Sequence, residues 1–453
     1  MSKFSKVKYL LNRYIKNRNE FDGSLSPSEI ANFLKKIKKE SEEEFYSYLK
    51  KLPEDILGEV LLEFPESLKE DAIKHLSSQK LTKAIEELES DDATDLIKDI
   101  EDVDEDLEKK IHNSLNEKFR KDIEKLSIFE EDQAGAYMQL EVFEANVNES
   151  IEDAIKRLKQ LREKEELENV QQVYVIDDDR HLKAIIPLSD LITFDFQMSF
   201  KDIIKDKKYK PLTVRANEPI KDVIKKFEDY DVAVLAVVDD QGKLLGRITS
   251  DDIIDLVEEQ ATEQIYNLAG VKDEIEEEDD IKIVIKKRAW WLFINLWTAI
   301  LASLVIGLFD KTIQKYVALA VLMPIVASMG GNAGTQTLTV MVRKMALGEI
   351  EWDNAKEALF KEIVISLANG FLFALIIGVI AWVWFHNSML GLVIALAMVI
   401  NLLAAGFFGS LIPLTLKKMG SDPAVGSTVI LTTVTDVVGF FAFLGLAKLI
   451  LIG

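Results

Sequence analysis

Five stretches of mostly apolar residues follow one another after residue 288, running from about Ala289 to Phe309, Tyr316 to Val342, Ala358 to Phe385, Leu390 to Leu416 and Ala424 to Ile452. A helix that crosses a bilayer needs about 20 such residues, so each stretch can span. Charge divides the chain at the same place. Of its 55 Lys+Arg and 77 Asp+Glu, nine and eight lie in 289–453, leaving 46 and 69 in 1–288. The apolar part therefore carries +1 and the first part −23 of the net −22. A wholly soluble enzyme is excluded. A nucleic-acid partner is disfavoured, because phosphate binding needs a basic footprint.

The sequence contains no cysteine, which removes disulfides and thiolate metal sites. The start, MSKFSKVKYLLNRYIKNRNE, is charged and has no continuous apolar core, so no cleaved signal peptide is expected. Basic residues set the orientation. Lys286, Lys287 and Arg288 precede the first span, Arg343, Lys344, Lys356 and Lys361 lie between spans two and three, and Lys417 and Lys418 lie between four and five. The opposite loops hold Lys311, Lys315 and Asp310, then His386-Asn387. The majority puts the N-terminus and the acidic part in the cytoplasm and the C-terminus outside, in a multi-pass protein of the cell membrane. An odd number of spans forbids an even inverted repeat. A pore would most simply lie on a homodimer axis, with a pore inside one protomer as the alternative.

Two spans carry chemistry. The second reads Pro324-Ile-Val-Ala-Ser-Met-Gly-Gly-Asn-Ala-Gly-Thr-Gln336. Pro324 removes a backbone donor, and Gly330, Gly331 and Gly334 favour close approach or a break. Packing through small residues is the alternative, although Asn332 and Gln336 add amide oxygens that packing does not need. The fifth reads Thr432-Thr-Val-Thr-Asp436-Val-Val-Gly439, and Asp436 is the one ionisable side chain well inside the apolar segments. A carboxylate at the bilayer centre costs roughly 2.5–3.5 kcal/mol on insertion scales, and no Lys or Arg lies at comparable depth to offset it. A cation pathway would, and two copies across an axis would form an anionic ring. A protonated Asp bonded to a neighbouring helix is the alternative. Hard oxygen donors such as Asp436, Asn332 and Thr432 favour a hard ion, and Mg²⁺ usually keeps several waters. Composition alone does not separate Mg²⁺ from Mn²⁺ or Ca²⁺. With no HExxH and no P-loop, neither hydrolysis nor any other covalent chemistry is expected, and the ion moves down its gradient.

In residues 1 to about 130, apolar positions recur at three and four (Phe33, Ile37; Phe45, Leu49; Ile56, Val60, Leu61), with separators at Pro53, Pro65 and Ser90. This predicts short helices in an all-α domain. From about 131 the pattern changes. Strands are expected at Val173–Ile176, Ala184–Ile186, Ala233–Val238 and Leu244–Thr249, with helices before each pair at Ile151–Leu161 and Ile220–Phe227. The repeat resembles a tandem CBS pair, an α/β module that commonly binds adenine nucleotides. Gly246, Ile248, Thr249 and Asp252 supply its Gly-x-Ile-Thr-x-x-Asp stretch, whereas the first copy departs from it as Lys183-Ala-Ile-Ile-Pro-Leu-Ser-Asp190. One nucleotide site, at Thr249 and Asp252, is therefore expected. Acidic residues recur at helical spacing at Asp91, Asp95, Asp99 and Asp102, at Asp251, Asp255, Glu258, Glu259 and Glu263, and in the run Asp273–Asp280. Like charges so placed oppose the helix. Solvated faces are one reading. A divalent-ion sensor is the other, made more attractive by three clusters beside a cation path.

Several separated stretches together resemble the MgtE magnesium transporter family: Glu131-Asp-Gln-Ala-Gly-Ala-Tyr-Met138, Gly330-Gly-Asn-Ala-Gly-Thr-Gln336 with Gly348-Glu349, Asp422-Pro-Ala424, and Thr432–Gly439. The resemblance covers nearly the whole chain. It implies a multidomain membrane protein with a helical N domain (1–130), tandem CBS domains (131–262), a connecting plug helix (263–288, chiefly Lys272–Arg288) and a five-helix transmembrane domain (289–453). It implies a homodimer with a magnesium-gated, channel-like pore on its axis. Asp436 would be the pore aspartate, Asp422 the acid at the cytosolic end of the last span, and Asn332 part of the glycine-rich stretch. Asp91 and Asp95, with Asp251, Asp255, Glu258, Glu259 and Glu263, would be sensor acids, and ATP a ligand of the CBS pair. The expected function is a Mg²⁺-selective channel or transporter regulated by cytosolic Mg²⁺. A Mn²⁺ or Co²⁺ transporter and a non-transporting CBS receptor remain the rivals.

Overall fold

The three-and-four spacing of the first segment folds as helices, in a computed structural model that describes residues 3–16, 25–164, 167, 170–205, 207–270, 281–350, 352 and 354–452. They are α1 (Lys3–Lys16), α2 (Pro27–Glu40), α3 (Glu42–Lys51), α4 (Glu54–Leu62), α5 (Glu66–His75), α6 (Ser78–Glu86), α7 (Ser90–Val103), α8 (Glu105–Ser114) and α9 (Glu117–Leu126). Pro53 and Pro65 stand just before α4 and α5, and Ser90 opens α7. Elsewhere Ser41, Ser77, Asp104 and Asn116 accept first-turn backbone N–H groups. The apolar stripes meet in one core that includes Leu11, Ile30, Phe45, Leu57 and Ile100.

The repeat follows as β1 (Glu144–Asn146), α10 (Ile151–Glu163), β2 (Gln172–Ile176), β3 (Leu182–Pro187), α11 (Leu188–Leu191) and α12 (Phe200–Ile203). Its second copy is β4 (Thr213–Arg215), α13 (Ile220–Tyr230), β5 (Val234–Val238), β6 (Leu244–Thr249) and α14 (Ser250–Ala269). Each copy forms a three-stranded sheet in which the first strand pairs parallel and the last antiparallel with the middle one. The two middle strands and their partners match the expected positions. β1 and β4 were not expected, because three residues are too few to show an alternation.

The remaining helices are α15 (Ile281–Gly307), α16 (Asp310–Lys315), α17 (Ala318–Ala346), α18 (Ala355–Phe385), α19 (Ser388–Lys418) and α20 (Ser427–Ala447). Among the described residues five helical segments are long and apolar enough to cross a membrane: Val284–Gly307, Ala318–Ala346, Ala355–Phe385, Ser388–Lys418 and Ser427–Ile452. The chain divides into two compact units, Met1–Glu258 and Glu259–Gly453, at a point within α14. In the second unit α19 packs against α17, α18 and α20. The possible break in the second span does not occur, since α17 is one helix through Pro324 and its glycines. Gly330 and Gly334 instead give close approach, to Asn401 of α19 and Leu431 of α20.

One glycine of the repeat is sterically required. Gln139 and Arg247 exchange backbone hydrogen bonds of 2.8 and 2.9 Å, which draws the 139 strand across β6. A Cβ on Gly246 would overlap the Gln139 carbonyl and lie 2.5 Å from Met138 Cγ. Gly246→Ala is expected to destabilise the first unit by about 1–3 kcal/mol, as overpacking does. Thermal unfolding reads this, and an unchanged midpoint would contradict it.

Candidate ion pathway and acidic sensor

The polar groups of α20 sort by face. Thr432 Oγ1 donates to the Thr428 and Val429 carbonyls at 3.0 and 3.1 Å, Thr433 Oγ1 to Val429 at 2.6 Å, and Thr435 Oγ1 to Thr432 at 3.1 Å. This back-bonding uses the hydroxyl hydrogens within the helix and leaves the oxygens as acceptors. Thr435 is fully buried against neighbouring helices, while Thr432 and Asp436, four residues apart, share a half-buried face. Among the described residues Asp436 has neither a basic partner nor a hydrogen-bond donor. Asn332 is exposed on α17, with Nδ2 3.4 Å from Ser328 Oγ on its own helix. The single chain therefore does not bond Asn332 to Asp436.

Asp422 stands before α20 with both oxygens engaged. Oδ1 accepts from Ala424 N at 2.7 Å and Oδ2 from Asn267 Nδ2 at 3.0 Å. Thr428 Oγ1 donates to the Leu268 carbonyl at 2.7 Å. The end of α14 is thus tied to the start of α20 within the second unit. A further buried acid was not singled out in the sequence. Glu362 of α18 accepts from Thr337 Oγ1 of α17 at 3.3 Å. The available signal was Ser366 one turn later, which places a hydroxyl on the same helix face as the carboxylate. Lys361 entered the sequence reading only as an orientation residue, and its neighbour Glu362 did not enter it.

In the first unit the first turn of α7 carries the acids. Asp91 is buried, and its Oδ1 meets no hydrogen-bond donor among the described residues. Burial pushes the Asp91 carboxyl well above the ordinary carboxylate range, with Asp92, Asp252 and Glu89 adding repulsion. Asp92 is pushed up to about 7 by burial, then by Asp252, Asp95 and Glu89. Glu89 is pushed up to about 6 by burial, although Arg247 opposes this from 3.5 Å. Burial also raises Asp95, against its 3.1 Å pair with Lys98. Asp92, Glu89 and Asp252 thus join the cluster, which spacing on a single helix could not show. The stripe itself divides. Asp99 is paired with Lys69 at 2.7 Å, and Asp102 is exposed.

The other acidic face lies along α14. Asp251, Asp255 and Glu258 are exposed in the first unit, with Asp255 raised by burial, then by Glu258 and Asp251. Glu259 and Glu263 belong to the second unit, where Glu263 accepts from Asn267 at 3.2 Å. The run 273–280 lies outside the described residues; of the expected plug segment 263–288, residues 263–269 end α14 and 281–288 begin α15. Among the described residues no three acidic or imidazole groups are gathered closely enough to hold one ion. The donor set still fits a hard divalent cation, because Asp91 Oδ1 is a buried acceptor without a donor amid uncompensated negative charge. At the expected nucleotide site, Thr249 Oγ1 donates to Asp252 at 2.6 Å and Gln139 Nε2 lies within hydrogen-bond distance of both, at 3.4 and 3.3 Å.

Comparison with known proteins decides the family. Residues 323–446 match the family model described as a divalent cation transporter, 25–132 match the MgtE intracellular N domain, and 134–196 and 201–259 match CBS domains. A magnesium transporter MgtE from Enterococcus faecalis is 32% identical over 328 residues, which is 72% of this chain and 71% of that one. The chain belongs to the MgtE family. The MgtE of Thermus thermophilus is 29% identical over 346 residues, covering 76% of this chain and 75% of the relative. A crystal structure of the cytosolic domain of the Mg²⁺ channel MgtE in complex with ATP is 28% identical, with a TM-score of 0.47, covering 51% of this chain and 91% of that one. The soluble part of a magnesium transporter is 25% identical at a TM-score of 0.48, covering 57% and 98%. As an MgtE protein the chain is a multi-pass membrane protein with an all-helical N domain, a CBS pair and a C-terminal helical domain.

The acid cluster has a pH signature. Carboxyls raised in the fold, such as Asp92 from 3.8 to about 7, keep protons that the unfolded chain has already released. Their contribution is fully present below about pH 4 and is lost as the pH rises through about 7. Without divalent cations, this part of the first unit's stability is expected to fall across that window. Thermal unfolding in chelator across the window checks this, and a rise in midpoint through the upper half would contradict it.

Proposed function

We propose that this MgtE protein is a Mg²⁺-selective, channel-like transporter that passes the hydrated ion down its electrochemical gradient. The observation that carries the reading is Asp436, a carboxylate on a membrane-spanning helix with no cationic or hydrogen-bonding partner among the described residues. A divalent cargo would supply the missing positive charge without full dehydration, since Mg²⁺ keeps part of its water. The relatives named magnesium transporters support the choice of ion. Thr432 lies one turn before Asp436 on the same face and offers a second oxygen, and Asn332 offers an amide. Asp422 acts at the start of α20, with its carboxylate braced by Ala424 and Asn267.

In this reading two copies assemble so that their Asp436 side chains face one axis, with the soluble part in the cytoplasm and the C-terminus outside. The helical N domain and the CBS pair act as the sensor, and the 263–288 segment as the plug. Cytosolic Mg²⁺ screens the carboxylates at Asp91 and Asp95 and along α14 at Asp251, Asp255, Glu258, Glu259 and Glu263. The cluster on α7 is then stable in its ionised form, and the pathway is held shut. Low Mg²⁺ restores the repulsion and releases it.

Mg²⁺ entry into reconstituted vesicles tests the pathway. Asp436→Ala is expected to lower it by about tenfold or more, as removal of a filter carboxylate should. Uptake at the unmodified rate would end the assignment, and equal flux of Mn²⁺ in competition would end the selectivity. The sensor is tested in excised membrane patches. Raising Mg²⁺ on the cytosolic face should reduce conduction, and Asp91→Ala with Asp95→Ala should leave it open at concentrations that shut the unmodified protein. Inhibition from the outer face alone would reverse the proposed orientation.

A further inference from the structure

Asn401 lies within α19 and is fully buried. Its Nδ2 donates to the Val326 carbonyl of α17 at 2.7 Å. Its Oδ1 is also buried and meets no donor among the described residues. Two glycines from two other helices close on this one amide. A Cβ on Gly330 of α17 would overlap Nδ2 and lie 2.8 Å from Oδ1. A Cβ on Gly439 of α20 would lie 2.8 Å from Nδ2 and 3.1 Å from Oδ1. The side chain is therefore a spacer of fixed thickness between α17 and α20. Gly330 is two residues from Asn332, and Gly439 is three residues from Asp436 on the same helix.

The amide is a poor choice for stability alone. Leucine has the same branching and the same number of side-chain heavy atoms, and would leave no oxygen without a donor. The Val326 carbonyl would lose nothing essential, because regular helix geometry already pairs it with the Gly330 N–H. What leucine would lose is the directional bond that fixes where α17 sits along α19. A polar group within a membrane span that weakens the packing it belongs to is a functional candidate.

We propose that Asn401 is a positioning residue of the ion pathway. Its carboxamide fixes the separation and register between the glycine-rich segment bearing Asn332 and the segment of α20 bearing Asp436. The ion does not touch it. Through that spacing it tunes which divalent cation, with how much of its water, fits beside Asp436. This rests on the reading of Asp436 as the pathway carboxylate.

The test compares the full-length protein, Asn401→Leu and Asp436→Ala, purified in detergent and reconstituted in vesicles. Thermal midpoint, maximal Mg²⁺ flux, half-saturating Mg²⁺ and the Mn²⁺-to-Mg²⁺ flux ratio are read for each. Asn401→Leu is expected to keep or raise the midpoint, lower maximal Mg²⁺ flux by about tenfold, and shift both the half-saturation and the ion ratio, because small misplacements of ligating groups have large rate effects. A purely structural role would reduce the number of active molecules, scaling the flux with half-saturation and ion ratio unchanged. That result overturns the proposal, as does unmodified transport in Asn401→Leu or a lowered midpoint that accounts for the lost flux. Full flux in Asp436→Ala removes the pathway reading and this proposal together. Loss in Asp436→Ala with normal behaviour in Asn401→Leu removes this proposal alone.

Discussion

A negative charge inside an apolar helix bundle is the constraint from which the rest of the membrane unit follows. Asp436 needs an environment that a lipid-facing helix does not provide. The threonines around it settle their own hydrogens on the backbone of α20, and so do not donate to the carboxylate. With no basic residue at hand among the described ones, the proposed pathway supplies a mobile compensation, a cation and the water that accompanies it. The same reading accounts for spans that carry amide and hydroxyl oxygens but no cysteine. Hard donors hold such an ion weakly enough for it to leave.

The soluble unit poses the same electrostatic problem and solves it differently. The first turn of α7 crowds Asp91, Asp92 and Glu89 against Asp252, and protons or cations decide whether that crowding is tolerable. Arg247 supplies one fixed positive charge, itself buried and held by Gln139 at 3.0 Å. One guanidinium does not neutralise four carboxyls. In the proposed sensor, this crowding is what would couple the fold of the unit to the ionic composition around it.

Much of this was legible in the sequence because it rests on local rules. Apolar run length located the spans, three-and-four spacing located the N-domain helices, and the repeated strand pair located the CBS copies. Asp436 announced itself because its surroundings were uniformly apolar. The misses share a cause. β1 and β4 are too short to have a period. Glu362 and Asn401 owe their meaning to residues on other helices, Thr337 in one case and Gly330 and Gly439 in the other. Asp92 and Glu89 lie beside residues that were singled out, yet only tertiary contact with Asp252 separates them from ordinary surface acids. The glycines of α17 carried an ambiguous signal, and close packing rather than a broken backbone resolved it. The nucleotide expectation at Thr249 and Asp252 came from a motif, and the hydrogen bonds these two side chains make with each other and with Gln139 were visible only in the fold.

Small residues also join α18 to α19. A Cβ on Gly391 would lie 2.5 Å from the Gly378 carbonyl, and one on Gly406 would overlap Ser366. At these glycines the two helices approach closely, Gly391 against the Gly378 carbonyl and Gly406 against the short Ser366 side chain. The two helices then form a tightly packed hairpin, a post against which the other spans lean. In the proposed pathway, the elements left to adjust beside this post are α17 and α20, which bear Asn332 and Asp436.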